Sequence, residues 1–334
     1  MELRVLMGFV LSFTLLELAL THAASSSEVY WQSKLPTTPM PKALHDLLPS
    51  EHRSDTSDGS RREKGRGIGF KDNAISVGLN IGGLGIDVGD DGVSVDFGHD
   101  DESPLSFDYG RSENQLASNP NAAHFFLGKD LQPGAKMNLR FTKTGAKAKF
   151  LPRQVAEVLP FSLDKFSEIL DKFRVNPNST KAKIIKASIE ECEDQPLGEE
   201  NKYCATSLEA MIDYIISKLG KNVRVIATEV DKDNTKQQEF KITGVRMVGD
   251  KIAACHAQNY MYPVFYCHEM HATRAYMVPL VGADGTKAKA VAVCHFDTSK
   301  WNKNHMAFRV VKVKPGTVPI CHFLPEDHIV WVAS

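Results

Sequence analysis

The chain has no excess of charge of either sign. It carries 40 lysines and arginines against 41 aspartates and glutamates, which gives a formal net charge of −1 at pH 7. Proteins that bind the phosphate backbone of nucleic acids need a concentrated basic surface. The composition therefore predicts that the chain does not bind nucleic acid.

Beyond its N-terminus, the sequence also lacks any apolar run long enough to span a membrane. It begins with MELRV, continues as an apolar run to Leu20 that Glu17 interrupts, and then reaches the small residues of THAAS. This pattern, with a cleavage point near Ala23 or Ala24, is typical of a secretory signal peptide. We expect residues 1–24 to be removed and the mature protein to be secreted or vacuolar, without a membrane anchor. The glycosylation sequon at Asn178 fits the same route.

No cysteine precedes Cys192, and all six cysteines lie between residues 192 and 321. An even number of cysteines in a secreted chain predicts a disulfide framework. We expect all of them to be bonded: Cys192, Cys204, Cys255, Cys267, Cys294 and Cys321. Many pairings are possible, so the sequence does not determine the connectivity. Cys192 with Cys204 is a reasonable local pair, because the two flank one short polar stretch.

Four of the cysteines are each followed by a histidine, in the pattern CH-x10-CH-x25-CH-x25-CH. The dipeptides are Cys255-His256, Cys267-His268, Cys294-His295 and Cys321-His322. Each lies among Val, Ile, Phe and Tyr residues, which favour strands. Neighbouring side chains of a strand leave opposite faces. One member of each dipeptide can therefore enter a core while the other faces a shared cleft, and we predict that the four histidines converge.

Imidazole is the metal-binding group that remains in this motif if disulfides consume the sulfurs. It suits copper or zinc better than calcium or magnesium. The residues predicted to bind a metal are His256, His268, His295 and His322. In the alternative interpretation, the cysteines cross-link a sheet and the histidines only form hydrogen bonds. Three more histidines lie near the motif in sequence, and we expect them on the surface or beside the ligands: His271, His305 and His328.

Composition divides the chain into four parts. The predicted signal peptide is followed by a short segment at residues 25–50 that we expect to dock as a peptide, and by a flexible spacer rich in Gly and Asp at residues 51–120. Within the spacer, residues 74–98 alternate apolar with small residues, which predicts irregular strands or a weak repeat. The body, residues 121–334, is long enough for one sizeable core.

Helices are predicted first in this body. Ser162 is placed to cap the helix FSLDKFSEILDKF, while Thr206 with Glu209 forms a capping box for TSLEAMIDYIISKLG, which Gly220 ends. Most of the remainder is strand-like, including VRVIATEV, FKITGVRMV, AYMVPLVG turning at residues 283–285 into AKAVAVCH, and FRVVKVKPG. The predicted fold class is α+β: N-terminal helices followed by a largely antiparallel β-sheet that carries the four Cys-His motifs.

Several stretches around the dipeptides carry a family resemblance. They are HFFLGKDLQPGAKMNLRF (His124–Phe141), the spacing of the four Cys-His pairs, AVAVCHFDTSKWNKNHMAF, and VKPGTVPICHFLPEDHIVWV. In these residues the C-terminal region resembles the BURP domain of plant secreted proteins. Upstream, Glu28–Ser50 is similar to the dehydration-responsive and seed-protein branches. The Gly/Val/Asp-rich stretch after it resembles the dehydration-responsive branch in particular, and is unlike the Phe-rich repeats of the polygalacturonase beta-subunit branch.

The resemblance implies two functions of different classes. The preferred one is a non-enzymatic protein of the cell wall, apoplast or vacuole, acting in seed physiology or the dehydration response. It would bind copper, with zinc as the second choice, or partners such as cell-wall components or secreted proteins. The alternative is a copper-dependent autocatalytic peptide cyclase that oxidises a tyrosine or tryptophan of its own chain. Neither Gln32 nor Gln115, the glutamines that could open such a substrate segment, is followed closely by a tyrosine or tryptophan. If cyclisation occurred, we expect Tyr109, Tyr30 or Trp31 to be modified.

Overall fold

The computed structural model describes residues 26–49, 68–71, 74–77, 79–81, 84–89, 92–97, 125–141, 143, 148–195, 201–232, 237–269 and 271–334. The predicted signal peptide, most of the predicted spacer and Tyr109 lie outside the described residues. The described chain is an α+β protein with antiparallel sheets. Among these residues, no helix combines the length and the apolar character that crossing a membrane requires.

The helices lie on both sides of the predicted spacer. They are α1 (Ser26–Lys34), α2 (Lys42–His45), α3 (Arg153–Ala156), α4 (Phe166–Lys172), α5 (Thr180–Glu193), α6 (Leu208–Leu219) and α7 (Met306–Val311), with a 3-10 turn at Gly128–Asp130. In α6, the apolar side chains recur at helical spacing and are buried. Ser207 caps this helix by accepting a hydrogen bond from the Ala210 amide, and Gly220 ends it at a φ of 81°.

Strands make up most of the remainder. They are β1 (Ile68–Lys71), β2 (Ala74–Val77), β3 (Leu79–Ile81), β4 (Leu84–Gly89), β5 (Gly92–Phe97), β6 (Phe125–Leu127), β7 (Lys136–Leu139), β8 (Asn201–Ala205), β9 (Val223–Ala227), β10 (Glu229–Val230), β11 (Gln238–Ile242), β12 (Arg246–Gly249), β13 (Ile252–Ala257), β14 (Phe265–Glu269), β15 (Thr273–Gly282), β16 (Lys287–His295), β17 (Ile320–Phe323) and β18 (Ile329–Ala333). In the predicted spacer, β1 pairs with β2, and β3, β4 and β5 form a three-stranded sheet.

Two larger sheets form the body. The five-stranded sheet has the order β8-β14-β13-β18-β9. The eight-stranded sheet has the order β6-β17-β16-β15-β11-β7, with β10 beside β16 and β12 beside β15. Its longest pair, β15 and β16, turns at residues 283–286, where Gly285 takes a φ of 81° and the Gly282 amide donates to the Thr286 carbonyl. This is the turn that the sequence predicts.

The two sheets pack face to face through a shared apolar cluster. From the five-stranded sheet it includes Ile252, Ala254, Val330 and Val332, and from the eight-stranded sheet Val248, Ala275, Val291 and Val293. At Gly249 the sheets approach so closely that an added Cβ would lie 2.3 Å from Cγ1 of Val332. Glycine is therefore required there by space rather than by backbone conformation.

The outer face of each sheet has its own apolar cover. The five-stranded sheet is covered by helix α6, Phe150 and residues 26–48. Their apolar cluster includes Cys255 and Cys267. In the eight-stranded sheet, phenylalanines of its own strands and Phe141 form an apolar cluster around Cys294 and Cys321. A third cluster joins α3, α4 and α5 to residues 260–264. The cysteines of the four dipeptides thus lie in the outer cores, and strand alternation turns the next residue of each dipeptide inwards.

Three local predictions differ from the structure. Helix α4 begins at Phe166, four residues after the expected cap Ser162, and no side chain caps it. Ser207, not Thr206, caps α6, and Glu209 accepts from the Ser27 hydroxyl instead of completing a capping box. The expected strand FRVVKVKPG begins instead as helix α7, because the His305 ring accepts from the Ala307 amide and the helix buries Ala307 and Phe308.

Candidate metal centre between the two sheets

A cross-strand disulfide and two histidines form one unit on the hairpin of β13 and β14. Cys255 lies directly opposite Cys267, and the two are bonded. The histidine after each cysteine points to the other face, at diagonal positions from which aromatic side chains can meet. Nε2 of His256 lies 3.1 Å from Nε2 of His268. We call these two residues the first histidine pair.

The same unit recurs on β16 and β17. Cys294 lies opposite Cys321 and is bonded to it. Nε2 of His295 lies 3.3 Å from Nε2 of His322, with the two rings nearly parallel. We call these residues the second histidine pair. Strand pairing in a common register therefore gives both sheets the same local arrangement of two sulfurs behind and two imidazoles in front.

Packing of the sheets brings the two pairs together. The ring centroids of His256 and His322, which belong to different sheets, are 6.3 Å apart. Three of the four histidines are buried, and His268 is partly exposed. The four predicted residues form one cluster between the sheets, and His268 lies on its solvent side.

The first histidine of each pair has a further contact at Nδ1. Nδ1 of His256 lies 2.9 Å from Nδ1 of the fully buried His328, and Nδ1 of His295 lies 3.3 Å from the Thr273 hydroxyl. A hydrogen bond at one ring nitrogen fixes which nitrogen carries the proton, and so leaves the other available as a ligand. These contacts leave Nε2 of both histidines directed at their partners.

Aromatic side chains line the cluster differently at its two ends. Beside the first pair, the Tyr266 ring lies 5.2 Å from that of His268. Beside the second pair, Trp301 lies 4.8 Å from His295, and Phe125 lies 5.4 Å from His322. His305 contacts both Trp301, with the two rings tilted, and Phe125, edge to face, which extends this aromatic wall.

Burial keeps the enclosed imidazoles His256, His295, His322, His305 and His328 uncharged. It lowers the pKa of His295 to about 3 and those of His328 and His305 to about 4, because an imidazolium loses its hydration there. The pKa values of His256 and His322 lie well below the usual range, first through burial and then through the neighbouring histidines. Neutral imidazole is the form that binds a metal ion.

The fit to a metal is pairwise. Two nitrogens bound at about 2.0–2.1 Å to one tetrahedral ion lie about 3.4 Å apart, close to the two Nε2 separations here. Among the described residues, no set of three or more His, Cys, Asp or Glu side chains is arranged to hold a metal ion. Each pair therefore presents two imidazole nitrogens, which suit copper or zinc.

The other predicted residues lie away from the cluster. The described cysteines are all bonded, and Cys192 at the end of α5 pairs with Cys204 on β8, as the local spacing predicts. Asn178 lies exposed just before α5, and His271 is exposed at the start of β15. Trp31 is fully buried in the outer core of the five-stranded sheet. Tyr30 packs beside it, partly buried, in the same core.

Sequence reasoning placed His328 on the surface or beside the ligands, and did not identify Thr273 or Trp301. His328 is fully buried and contacts a predicted ligand. The signal that could have singled it out is its place between two strand-forming stretches, six residues after His322 in CHFLPEDHIVW. Thr273 carried no comparable signal.

Fold and site together define a disulfide-bonded α+β protein whose two sheets enclose a histidine cluster. The model of the BURP domain family matches residues 124–333, a range that contains both histidine pairs. The chain belongs to the plant BURP-domain family.

Relatives extend this match. The chain is 53% identical over 236 residues to the BURP domain protein RD22 of Arabidopsis thaliana, covering 69% of this chain and 60% of that protein. It is 49% identical over 242 residues to BURP domain-containing protein 3 of Oryza sativa subsp. japonica, covering 71% and 56%. For BURP domain-containing protein 5 of the same rice, the identity is 39% over 319 residues, covering 93% and 88%. The chain thus spans less than two thirds of the first two relatives.

Proposed function

We propose that this BURP-domain protein is a secreted or vacuolar copper-binding protein without enzymatic activity, acting in the cell wall, in seeds or in the response to dehydration. The observation that carries the proposal is the cluster of His256, His268, His295 and His322, whose Nε2 atoms form two close pairs between the sheets. The similarity of the chain to RD22 and to a rice BURP-domain protein supports the family membership on which the proposal rests.

The residues around the cluster have distinct tasks in this proposal. The disulfides hold each strand pair in register, so that two imidazoles stay within reach of one ion. His328 and Thr273 orient the first histidine of each pair. Burial keeps His256, His295 and His322 neutral. Bound copper would supply one-electron redox chemistry that zinc lacks.

Secretion is part of the same proposal. Three disulfides need an oxidising compartment to form and persist. Asn178 is exposed ahead of the Ser179 cap of α5, where a glycan would meet no packed neighbour. Cell-wall components and other secreted proteins are the partners that we propose. A mass decrease after glycosidase treatment of the secreted protein, absent in Asn178→Gln, would support this route.

The cyclase alternative is less well supported by the aromatic residues first considered for it. Trp31 is fully buried, and the Tyr30 hydroxyl donates to the Asp213 carboxylate, so neither is free to reach the cluster. Tyr109 lies outside the described residues. The tryptophan and tyrosine that lie beside the histidines are Trp301 and Tyr266. A test for oxidation must therefore include their peptides.

Copper loading of the purified full-length protein tests the proposal. We expect bound copper by elemental analysis, a lower stoichiometry in His256→Ala and in His295→Ala, and no change in His271→Ala, a matched control at an exposed histidine. Peptide mapping should find Tyr30, Trp31, Tyr109, Tyr266 and Trp301 intact.

Two results would contradict it. Equal copper content in all variants would remove the histidine cluster as the site. Loss of two hydrogens from an aromatic-containing peptide after copper loading, absent in His295→Ala, would establish the cyclase instead.

A further inference from the structure

Residues 26–48 lie outside the range that the family model matches, yet they belong to the core of the domain. The match begins at residue 124. Trp31, Leu35, Leu44 and Leu48 are all buried, in one cluster with α6 and with Cys255, Cys267 and Trp331 of the five-stranded sheet. The part of the chain that the family model delimits therefore has an apolar outer face, which this N-terminal segment covers.

Trp31 is the apolar anchor of the segment. Its ring centroid lies 5.5 Å from that of Trp331 on β18, and both side chains are fully buried. Its indole N–H donates to the Thr38 carbonyl at 2.9 Å, which folds the segment back after α1. The Thr38 hydroxyl in turn donates to the Val223 carbonyl on β9. A large aromatic side chain in a fully desolvated pocket is typical of the dominant anchor in peptide recognition.

Polar contacts fix the orientation of α1 on α6. The Ser27 hydroxyl donates to the buried Glu209 carboxylate at 2.8 Å, and the Tyr30 hydroxyl donates to Asp213 at 2.5 Å. Arg153 pairs with the same Asp213 carboxylate and lies over the Tyr30 ring. Hydrogen bonds to charged groups are stronger than neutral ones and demand a defined geometry.

The end of the segment is tied to a different part of the chain. The Phe150 amide donates to the Leu47 carbonyl at 2.7 Å, and the Lys149 ammonium donates to the Asp46 carbonyl. No cysteine lies in residues 26–48, so no disulfide joins the segment to the domain. Every contact that holds it is non-covalent, apart from the chain itself.

We propose that the groove formed by α6, Phe150 and Trp331 is a peptide-binding site whose ligand is the chain's own residues 26–48. The ligand class is a short helical peptide with adjacent tyrosine and tryptophan, followed by a turn and two leucine anchors. The segment stays bound when the chain between it and the domain is cut, so that a protease acting there produces a two-chain protein rather than a shortened one.

A cleavable version of the full-length chain tests this. A recognition site for a sequence-specific protease replaces residues 55–60, in the charged stretch of the predicted spacer, and complete cutting is verified by mass under denaturing conditions. Native mass spectrometry and size exclusion then follow the two pieces. We expect them to remain together with the summed mass. Separate elution of the N-terminal fragment at micromolar concentration would overturn the proposal.

Variants separate specific binding from general adhesion. In the cut protein, Trp31→Ala should release the fragment, whereas Val29→Ala should retain it, because Val29 is 49% exposed. Tyr30→Phe leaves the apolar anchors in place and removes one hydrogen bond to a carboxylate, so release should become roughly tenfold faster. Equal retention of all three fragments would contradict a defined groove. The Tyr30→Phe comparison remains informative if Trp31→Ala fails to fold.

Discussion

The two histidine pairs share a local design but differ in what surrounds them. In both, directly opposed cysteines close a strand pair and diagonal histidines meet on the other face. The first pair borders solvent at His268 and is backed on its outer face by helix α6 and residues 26–48. The second is fully enclosed, with Trp301 and Phe125 against its rings. The strands thus set the donor geometry, while access and polarity depend on residues outside the four Cys-His dipeptides.

Weakening the packing of residues 26–48 behind the first histidine pair should have the largest effect on the free energy of unfolding. Trp31→Ala deletes a fully buried indole that packs on Trp331, a change that costs about 3–5 kcal/mol of unfolding free energy in a rigid core. Hydrogen exchange should rise in β13, β14 and β18 more than in β16 and β17. Urea unfolding and exchange mass spectrometry measure both, and the exposed Val29→Ala is the control. A uniform rise in exchange would mean that the strands of both histidine pairs depend equally on residues 26–48.

Loss of a disulfide is next in size and should distinguish the pairs by loop length. Cys255 and Cys267 are separated by 12 residues, and Cys294 and Cys321 by 27. The chain-entropy relation gives about 2.8 kcal/mol for the shorter loop and about 3.6 kcal/mol for the longer one. We therefore expect the double alanine variant at Cys294 and Cys321 to unfold at lower urea. We also expect Cys294→Ser to reduce secreted yield more than His295→Ala. The reverse order of the two double variants would show that packing in the outer cores outweighs loop closure.

Low pH should destabilise the metal-free protein through buried histidines at both histidine pairs. Burial holds the pKa of His328, beside the first pair, at about 4 and that of His295, in the second, at about 3, below the value of about 6.5 for an unfolded chain. The unfolded state therefore binds more protons below about pH 6.5, and stability falls from there down to about pH 4 for the contribution of His328 and about pH 3 for that of His295. At pH 5 the loss is about 2 kcal/mol for each such histidine.

Urea midpoints between pH 7.5 and pH 5 check this. His328→Phe and His295→Phe should each flatten the pH dependence by a similar amount, and the exposed His45→Gln should leave it unchanged. A flat profile in the unmodified protein would contradict neutral burial. If only one of the two substitutions strongly reduced the pH dependence of the urea midpoint, acid would act at a single histidine pair.

The sequence predicted the parts of this site that depend on local periodicity. The alternation of side chains in a strand places cysteines and histidines on opposite faces at all four dipeptides, and the residues around them read as strands. The register of the strand pairs could not be predicted from the sequence. It determines which cysteines face each other, and it depends on how the connections between residues 257 and 265 and between 295 and 320 fold. His328 lies beside the predicted ligand His256, one of the two positions expected for it, because β18 pairs with β13 in the five-stranded sheet. The prediction of a strand where helix α7 begins was wrong. The β-branched residues of this stretch favour a strand, whereas the cap of the helix and its buried face favour a helix.

The smallest expected effect concerns the two contacts at Nδ1, and it rests on the proposed copper binding. His328 meets Nδ1 of His256 at 2.9 Å, whereas Thr273 meets Nδ1 of His295 at 3.3 Å. Partners at the second ring nitrogen orient a ligating histidine, and their loss typically weakens metal binding about 10- to 100-fold. His328→Gln should fall in this range. Thr273→Val should have a smaller effect, because its contact is longer and its oxygen also donates to the His271 carbonyl. Competition with a chelator gives the two affinities, and the Cu(II) electron paramagnetic resonance spectrum reports whether the ligand set has changed. Both variants could instead bind copper as tightly as the unmodified protein, with an unchanged spectrum. The strands and disulfides alone would then orient the imidazoles, and the two histidine pairs would not differ in this respect.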